Sequence, residues 1–246
     1  MKLHITTYNI HKGFSHFNLR MMVHELRRQL QTLDADIVFL QEVQGDNPHH
    51  AQRLPDWPVA PQYEFLADKV WPDFAYGRNA VYEHGDHGNA ILSRYPIISS
   101  ENQDISDHRF EQRGLLHCEV AVERFHLHCL CVHLGLLARG RGRQLKALTA
   151  RVLRLVPSTA PLIVAGDFND WHNKAGQYLV SALGVTDVFH DLHGRTARTY
   201  PSGIPLLRLD RIYARGFRVC GVEVHHGQPW SRISDHAALS AELEFL

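Results

Sequence analysis

Long apolar runs, cysteines and an excess of charge of either sign are all scarce in these 246 residues. No stretch approaches the ~18 to 20 apolar residues that span a bilayer, and the N-terminal MKLHITTYNI reads as a strand rather than a leader. A cytoplasmic protein with no transmembrane segment is therefore expected. The four cysteines, Cys118, Cys129, Cys131 and Cys220, are too few and too apolar in setting for a disulfide framework; buried free thiols are expected, with Cys129 and Cys131 on one strand face. Lys plus Arg and Asp plus Glu each total 26, so no overall field holds a polyanion. The chain has no GxxxxGKS/T loop and no GxSxG elbow, which argues against nucleoside-triphosphatase and α/β-hydrolase chemistry. It has no HExxH or paired CxxC to suggest zinc. No repeat, linker or low-complexity tract marks a boundary, so residues 1–246 are read as one domain, expected to be monomeric.

What is present fits a folded protein: 44% hydrophobic and 21% charged residues, with an unusual 19 histidines. Residues 3–10 and 37–40 are short and apolar, as buried strands are, and Asn18 stands where it can cap a helix over 18–33. Residues 45–61 read as a loop and 63–82 as two strands around Trp71-Pro72-Asp73; a further strand covers 89–93. A hairpin of 115–122 and 126–133 follows, then a helix led by the Gly/Arg stretch 138–143. Strands at 162–165, 209–213 and 237–245 complete the pattern. Hairpins need antiparallel pairing and strand–helix–strand units favour parallel pairing. The expected fold class is α/β, with two mixed sheets packed together and helices outside.

Asn9, Glu42, His133, Asp167 with Asn169, Asp210, and Asp235-His236 each lie at or beside the end of an apolar strand. Singly, each is a turn residue, a cap or a satisfied structural group; jointly, six segments converging on one rim form a site. Glu, Asp and Asn oxygens suit a hard cation such as Mg²⁺ or Mn²⁺, which keeps waters and leaves room for a phosphate oxygen.

The motifs Tyr8-Asn9-Ile10-His11, Gln41-Glu42-Val43, Gly88-Asn89-Ala90-Ile91-Leu92-Ser93-Arg94, Val132-His133-Leu134, Gly166-Asp167-Phe168-Asn169, Leu209-Asp210-Arg211-Ile212 and Ser234-Asp235-His236 resemble, in order, those of the endonuclease/exonuclease/phosphatase superfamily. Among its branches the chain is most similar to small bacterial proteins of unassigned substrate. The resemblance implies a four-layer α/β/β/α sandwich related to pancreatic deoxyribonuclease. It also implies a divalent-metal-dependent phosphoester hydrolase, a phosphodiesterase by analogy with most branches. Glu42 becomes the main Mg²⁺ or Mn²⁺ ligand, with Asn9 beside it and Asp235 helping. Asp167 orients or deprotonates the attacking water, and Asn169 holds the water or the phosphate. His236, held by Asp210, and His133 face the scissile phosphate.

The partner is then a phosphoester substrate: a small diester, a phospholipid head group or a nucleic acid. Nuclease and phosphomonoesterase are the alternatives within the enzyme class, and a non-catalytic phospholigand-binding module the alternative outside it. Arg113, Asn89 and Trp171 are the candidate substrate contacts, since a guanidinium grips two phosphate oxygens and an indole beside the GDFN motif walls a cleft. Trp57, Trp71 and Trp230 also sit in loop-like segments. Tyr76 and Tyr82 are loose counterparts of a catalytic tyrosine found in apurinic-site endonucleases, and Glu83, Asp86 and His87 lie where a partner of His133 is expected. The basic run Arg139, Arg141, Arg143, Lys146, Arg151 and Arg154 meets a phosphate-rich ligand or is a solvated helix face. The pairs His49-His50 and His225-His226 read as surface residues.

Overall fold

The computed structural model describes residues 1–108 and 111–246, the side chains of Asn18 and Ala175 excepted. Strand β1 (Lys2–Asn9) turns Leu3 and Ile5 toward a core between two sheets and Tyr8 toward an outer layer, as the two-residue period of a strand requires. Helix α1 (Val23–Thr32) buries Val23, Leu26 and Leu30 and returns the chain to β2 (Ile37–Gln44), parallel to β1. The helix is shorter than the 18–33 expected. Lys12 and Phe17 take positive φ angles of 58° and 62° in the preceding turns, and Leu19 is 76% exposed, so its place in the apolar stripe is not used. Asn18's proposed cap lies outside the described side chains.

Two short helices, α2 (Pro48–Arg53) and α3 (Gln62–Ala67), follow. The first falls inside the expected loop. The second replaces an expected strand, because Gln62, Leu66 and Ala67 recur at helical spacing and are all buried. Strands β3 (Asp73–Tyr82) and β4 (Gly85–Ser93) form a hairpin that completes one half of the first sheet. The second sheet takes β5 (Ile97–Asp104), β6 (Gly114–Val122) and β7 (Phe125–His133). Helix α4 (Ala138–Leu155) crosses over to the parallel β8 (Leu162–Asp167). Helix α5 (Lys174–Leu183), β9 (Thr186–Asp187), α6 (Val188–His193) and β10 (Asp210–Arg215) close that sheet. Strand β11 (Phe217–His225), α7 (Trp230–Ile233) and β12 (Ala238–Phe245) return to the first.

The sheets run β11-β12-β1-β2-β4-β3 and β5-β6-β7-β8-β10-β9. Each has one parallel pair, β1/β2 or β7/β8, among antiparallel neighbours, which makes both sheets mixed as expected. Phe39, Ile91, Leu116, Cys129, Ile163 and Leu239 fill the core between them. Leu26 and Leu30 of α1 join Leu40 in one outer core, and Leu148 and Val152 of α4 join Val164 in the other. The result is the four-layer α/β/β/α sandwich. Among the described residues no helix is long and apolar enough to cross a membrane. Cys118, Cys129 and Cys131 are buried free thiols, and Cys220 is a half-buried one. Two tryptophans expected in loops serve the core instead. Trp71 is 1% exposed with Nε1 donating to the Ala35 carbonyl at 2.9 Å, and Trp230 packs edge-on against Tyr8. The C-terminal ends of β1, β7 and β8 and the N-terminal ends of β10 and β12 share one rim.

Candidate active site

Strand register builds the first row of the site. Parallel β7 and β8 place His133 opposite Asp167, and antiparallel β8 and β10 place Asp210 opposite the same Asp167. Gly166 makes this row possible: its φ is 143°, and a Cβ there would lie 2.0 Å from the Val132 carbonyl oxygen. Beyond Asp167 the chain turns back, with Asn169 at φ 48°. Its N–H donates to Asp167 Oδ1 and its amide to the Leu134 carbonyl, both at 2.9 Å.

From the opposite sheet, Asn9 Nδ2 donates to Asp167 Oδ2 at 3.2 Å. Nε2 of His133 lies 3.4 Å and Nε2 of His236 3.8 Å from that oxygen. His236 Nδ1 is bound to Asp210 Oδ2 at 2.9 Å. Thr199 Oγ1 accepts from the N–H groups of Leu209 and Asp210, so the backbone that carries the carboxylate is held in place. Ser234 explains the order of its motif: its hydroxyl donates to the Asn9 carbonyl at 2.7 Å and accepts from the His236 N–H, fixing the imidazole to the end of β1. All of these side chains are buried.

Burial, and then the charge of Asp210, push the Asp167 carboxyl up to about 6. Burial alone would neutralise His236, but Asp210 and Asp167 outweigh it and hold the ring protonated, its pKa raised to about 10. His133 is driven the other way, well below the usual imidazole range, by burial and by the charges of Arg113 and His236. Neighbouring groups with opposed shifts single out this cluster as the candidate for acid–base chemistry.

Glu42 reaches the same rim by a bulge. The β2/β4 register slips between Leu40 and Val43, and Glu42 takes φ 56°, a strained conformation of the kind held at functional sites. Its carboxylate is only 3.5 Å from Asn9 Nδ2 and 3.9 Å from Lys12 Nζ, so its oxygens have little direct hydrogen bonding. A half-buried carboxylate in this state, beside an amide, fits a hard cation. Asn9 presents its amide nitrogen to the carboxylates while its oxygen accepts from the His11 N–H, so it would ligate only after a half turn about χ2. Asp167, Asp210 and His236 also gather close enough to hold a cation, although Asp210 Oδ2 already accepts from the imidazole.

The remaining predicted residues are more dispersed. Asp235 faces His11 at 3.4 Å and His16 at 3.9 Å. Asn89 is 1% exposed and its amide nitrogen bridges the sheets, donating to the Gly114 and Cys131 carbonyls. Arg113 is half-buried, its charge felt at His133 and His87. Trp171 is 39% exposed, with Arg141 stacked 5.2 Å over its ring. Asp86 accepts from the Tyr76 hydroxyl at 2.5 Å, which excludes Tyr76 as a free catalytic phenol and engages Asp86 away from His133.

Half of the basic run is structural. Arg141 donates to the Gly135 and Leu136 carbonyls, Arg143 pairs with Asp107, and Arg151 clamps Glu101, leaving Arg139, Lys146 and Arg154 exposed. His50 and His225 are partly buried and hydrogen-bonded to Gln44 and Ser240, so neither is mere surface. Sequence reasoning did not single out Lys12, Thr199 or Tyr200; His87, one of the three residues expected near His133, is half-buried and its charge is felt at that ring. Tyr200, whose ring lies 5.2 Å from that of His236, comes from a segment with no strand-end signal.

Residues 6–236 match the profile of the Endonuclease/Exonuclease/phosphatase family. The chain belongs to this family. Its members are in general divalent-metal-dependent hydrolases of phosphoesters. The uncharacterized protein YbhP of Escherichia coli K12 is 48% identical over 241 residues, covering 97% of this chain and 95% of YbhP, and YbhP of Shigella flexneri matches equally. An endonuclease/exonuclease/phosphatase from Beutenbergia cavernae shares the fold with a TM-score of 0.79 at 19% identity, over 99% of this chain and 72% of that one. D. rerio TDP2 complexed with single strand DNA product shares it with a TM-score of 0.72 at 21% identity, over 99% of each chain.

Proposed function

We propose that this family member is a phosphodiesterase working with Mg²⁺ or Mn²⁺, and that residues 1–246 act as the single domain that the shared inter-sheet core supports. The observation that carries the reading is the linked set Asp210–His236–Asp167–His133, in which one carboxylate raised toward neutrality faces two imidazoles of opposite protonation.

Glu42 and Asn9 would hold the cation, with Asp235 in support. Such a cation, when bound, neutralises a phosphate oxygen and polarises the attacking water. Asp167 accepts the proton of that water, its raised pKa placing it close to the pH at which it works. Asn169 is fixed by the Leu134 carbonyl beside it and positions the water or a phosphate oxygen. Protonated His236, held by Asp210, places a cationic N–H against the developing negative charge, and His133 adds a neutral imidazole on the other side of Asp167. Arg113 and Trp171 are proposed to contact the esterified groups and Asn89 to brace the cleft from the sheet below.

A diester is preferred over a monoester by analogy with most branches of the family. A nuclease is the second reading, favoured by exposed Arg139, Lys146 and Arg154 on the helix after His133. The test is a substrate panel with and without each metal: bis(p-nitrophenyl) phosphate, p-nitrophenyl phosphate, plasmid DNA, RNA and phospholipid vesicles. The diester is expected to turn over fastest. Faster release from the monoester would overturn the diesterase reading, and cleavage of nucleic acid alone would select the nuclease.

A further inference from the structure

Helix α6, strand β11 and the loop 194–208 enclose a cavity of about 520 Å³ that the catalytic chemistry does not use. This lies within the ~300 to 1,000 Å³ of small-molecule sites. Its floor is apolar, made by Phe189, Val222 and Val224, and Arg195, Arg198 and Arg208 stand around its rim. No acidic side chain lines it. Among the described residues no carboxylate forms an ion pair with any of the three guanidinium groups, in contrast to Arg94, Arg143, Arg151, Arg211 and Arg218, which all have carboxylate partners.

Solvated surface arginines ordinarily spread apart, because like charges repel and each gains by separate hydration. Here all three line one cavity, and Arg208 is partly buried, its Nε donating to the Thr196 carbonyl at 3.4 Å. Burial and the charges of Arg198, Arg211 and Arg195 hold its pKa below the ordinary guanidinium value. An anion seated between the three would relieve that repulsion, and the planar guanidinium offers paired N–H donors matched to phosphate oxygens. The apolar floor calls for more than a bare ion: it would cover an organic group attached to that anion.

We propose that this cavity is a binding site for an organic phosphate. Its phosphate is held by Arg195, Arg198 and Arg208, and its organic part lies on Phe189, Val222 and Val224. The site is separate from the catalytic rim and does not depend on the hydrolase reading. The loop that forms its wall nevertheless carries Thr199 and Tyr200 on the opposite side, against Asp210 and His236.

Two non-hydrolysable dianions, phenylphosphonate and methylphosphonate, test the site by calorimetry on the full-length protein with Mg²⁺ present. Phenylphosphonate is expected to bind at least about fivefold more tightly than methylphosphonate, and the R195Q/R198Q variant to lose about tenfold or more for both. Both arginines are exposed, so the variant should melt like the wild type. Dihexanoyl phosphatidate separates the sources of the phosphate: tighter binding than phenylphosphonate names a lipid, equal or weaker binding a soluble phosphate, and either result supports the site. Unchanged affinity in R195Q/R198Q, equal affinity for the two phosphonates, or no binding by the wild type at about ten millimolar would each overturn the proposal.

Discussion

Removing Asp210 or His236 should cost much the same transition-state stabilisation, because the carboxylate reaches the substrate through the ring, beside its direct effect on the Asp167 carboxyl. The two are joined by a 2.9 Å hydrogen bond with both groups buried, and the ring stands 3.8 Å from Asp167. A positioned acid–base group contributes typically ~10² to 10⁴ in rate, or about 2.7 to 5.4 kcal/mol at 1.36 kcal/mol per tenfold. His236→Ala and Asp210→Asn are each expected to lose rate in that range, and the double variant to lose about as much as the worse single one. The assay is kcat and kcat/KM for the four proteins on bis(p-nitrophenyl) phosphate at saturating metal, with thermal melts to confirm folding.

A second readout separates this from a structural effect. With Asp210 present, the His236 imidazole stays charged through neutral pH; in Asp210→Asn its pKa should move down toward the ordinary imidazole value, visible by NMR. The variant's residual activity should then fall as pH rises through that lowered value. Fully multiplicative losses in the double variant, or a near-wild-type rate for His236→Ala, would refute the coupling.

Three further outcomes follow. Glu42→Gln should weaken Mg²⁺ or Mn²⁺ binding at least about tenfold by calorimetry, since removing one carboxylate takes the main hard donor from the site, and unchanged affinity would take Glu42 out of that role. Stability should fall on acidification. Burial, and then the charges of Arg151 and His128, push His117 down to about 4, so between about pH 6.5 and 4 the unfolded chain takes up a proton that the fold refuses. The loss reaches about 3 kcal/mol for this group, and melts of His117→Gln should show a flatter pH slope over the same window; an unchanged slope would exclude the explanation. Burial raises the thiols of Cys118 and Cys131 to about 12 and Cys129 well above its usual value, so a thiol reagent should label Cys220 alone in the native protein. Rapid labelling of a second cysteine would contradict the packing.

The rim and most of the strands that meet at it were legible in the sequence because apolar runs end where chemistry begins, whereas β5 and β11, exposed or half-buried along their length, offer no such run. Leu162–Ala165 followed by Gly166-Asp167 announces both a buried strand and its functional end. What could not be read were features set by backbone conformation or by distant neighbours. Asn18 and Leu19 fit a helical pattern, yet positive φ at Lys12 and Phe17 keeps the chain in turns until Met22. The apolar run 37–40 ends before Glu42, whereas the strand itself continues through a bulge to Gln44. Trp71 sits in a loop-like segment beside Pro72, and only the fold brings it to its partner Ala35, 36 positions away. Thr199 and Tyr200 lie in a loop that only the fold folds back against the Asp210–His236 pair.

The most direct test of the central claim is turnover of bis(p-nitrophenyl) phosphate by the purified protein before and after a chelator, beside Asp167→Asn. The expected result is hydrolysis that requires Mg²⁺ or Mn²⁺, stops on chelation, returns with added metal and drops by ~10² or more in the variant. Metal-dependent hydrolysis that Asp167→Asn leaves near the wild-type rate would place the chemistry elsewhere and contradict the account.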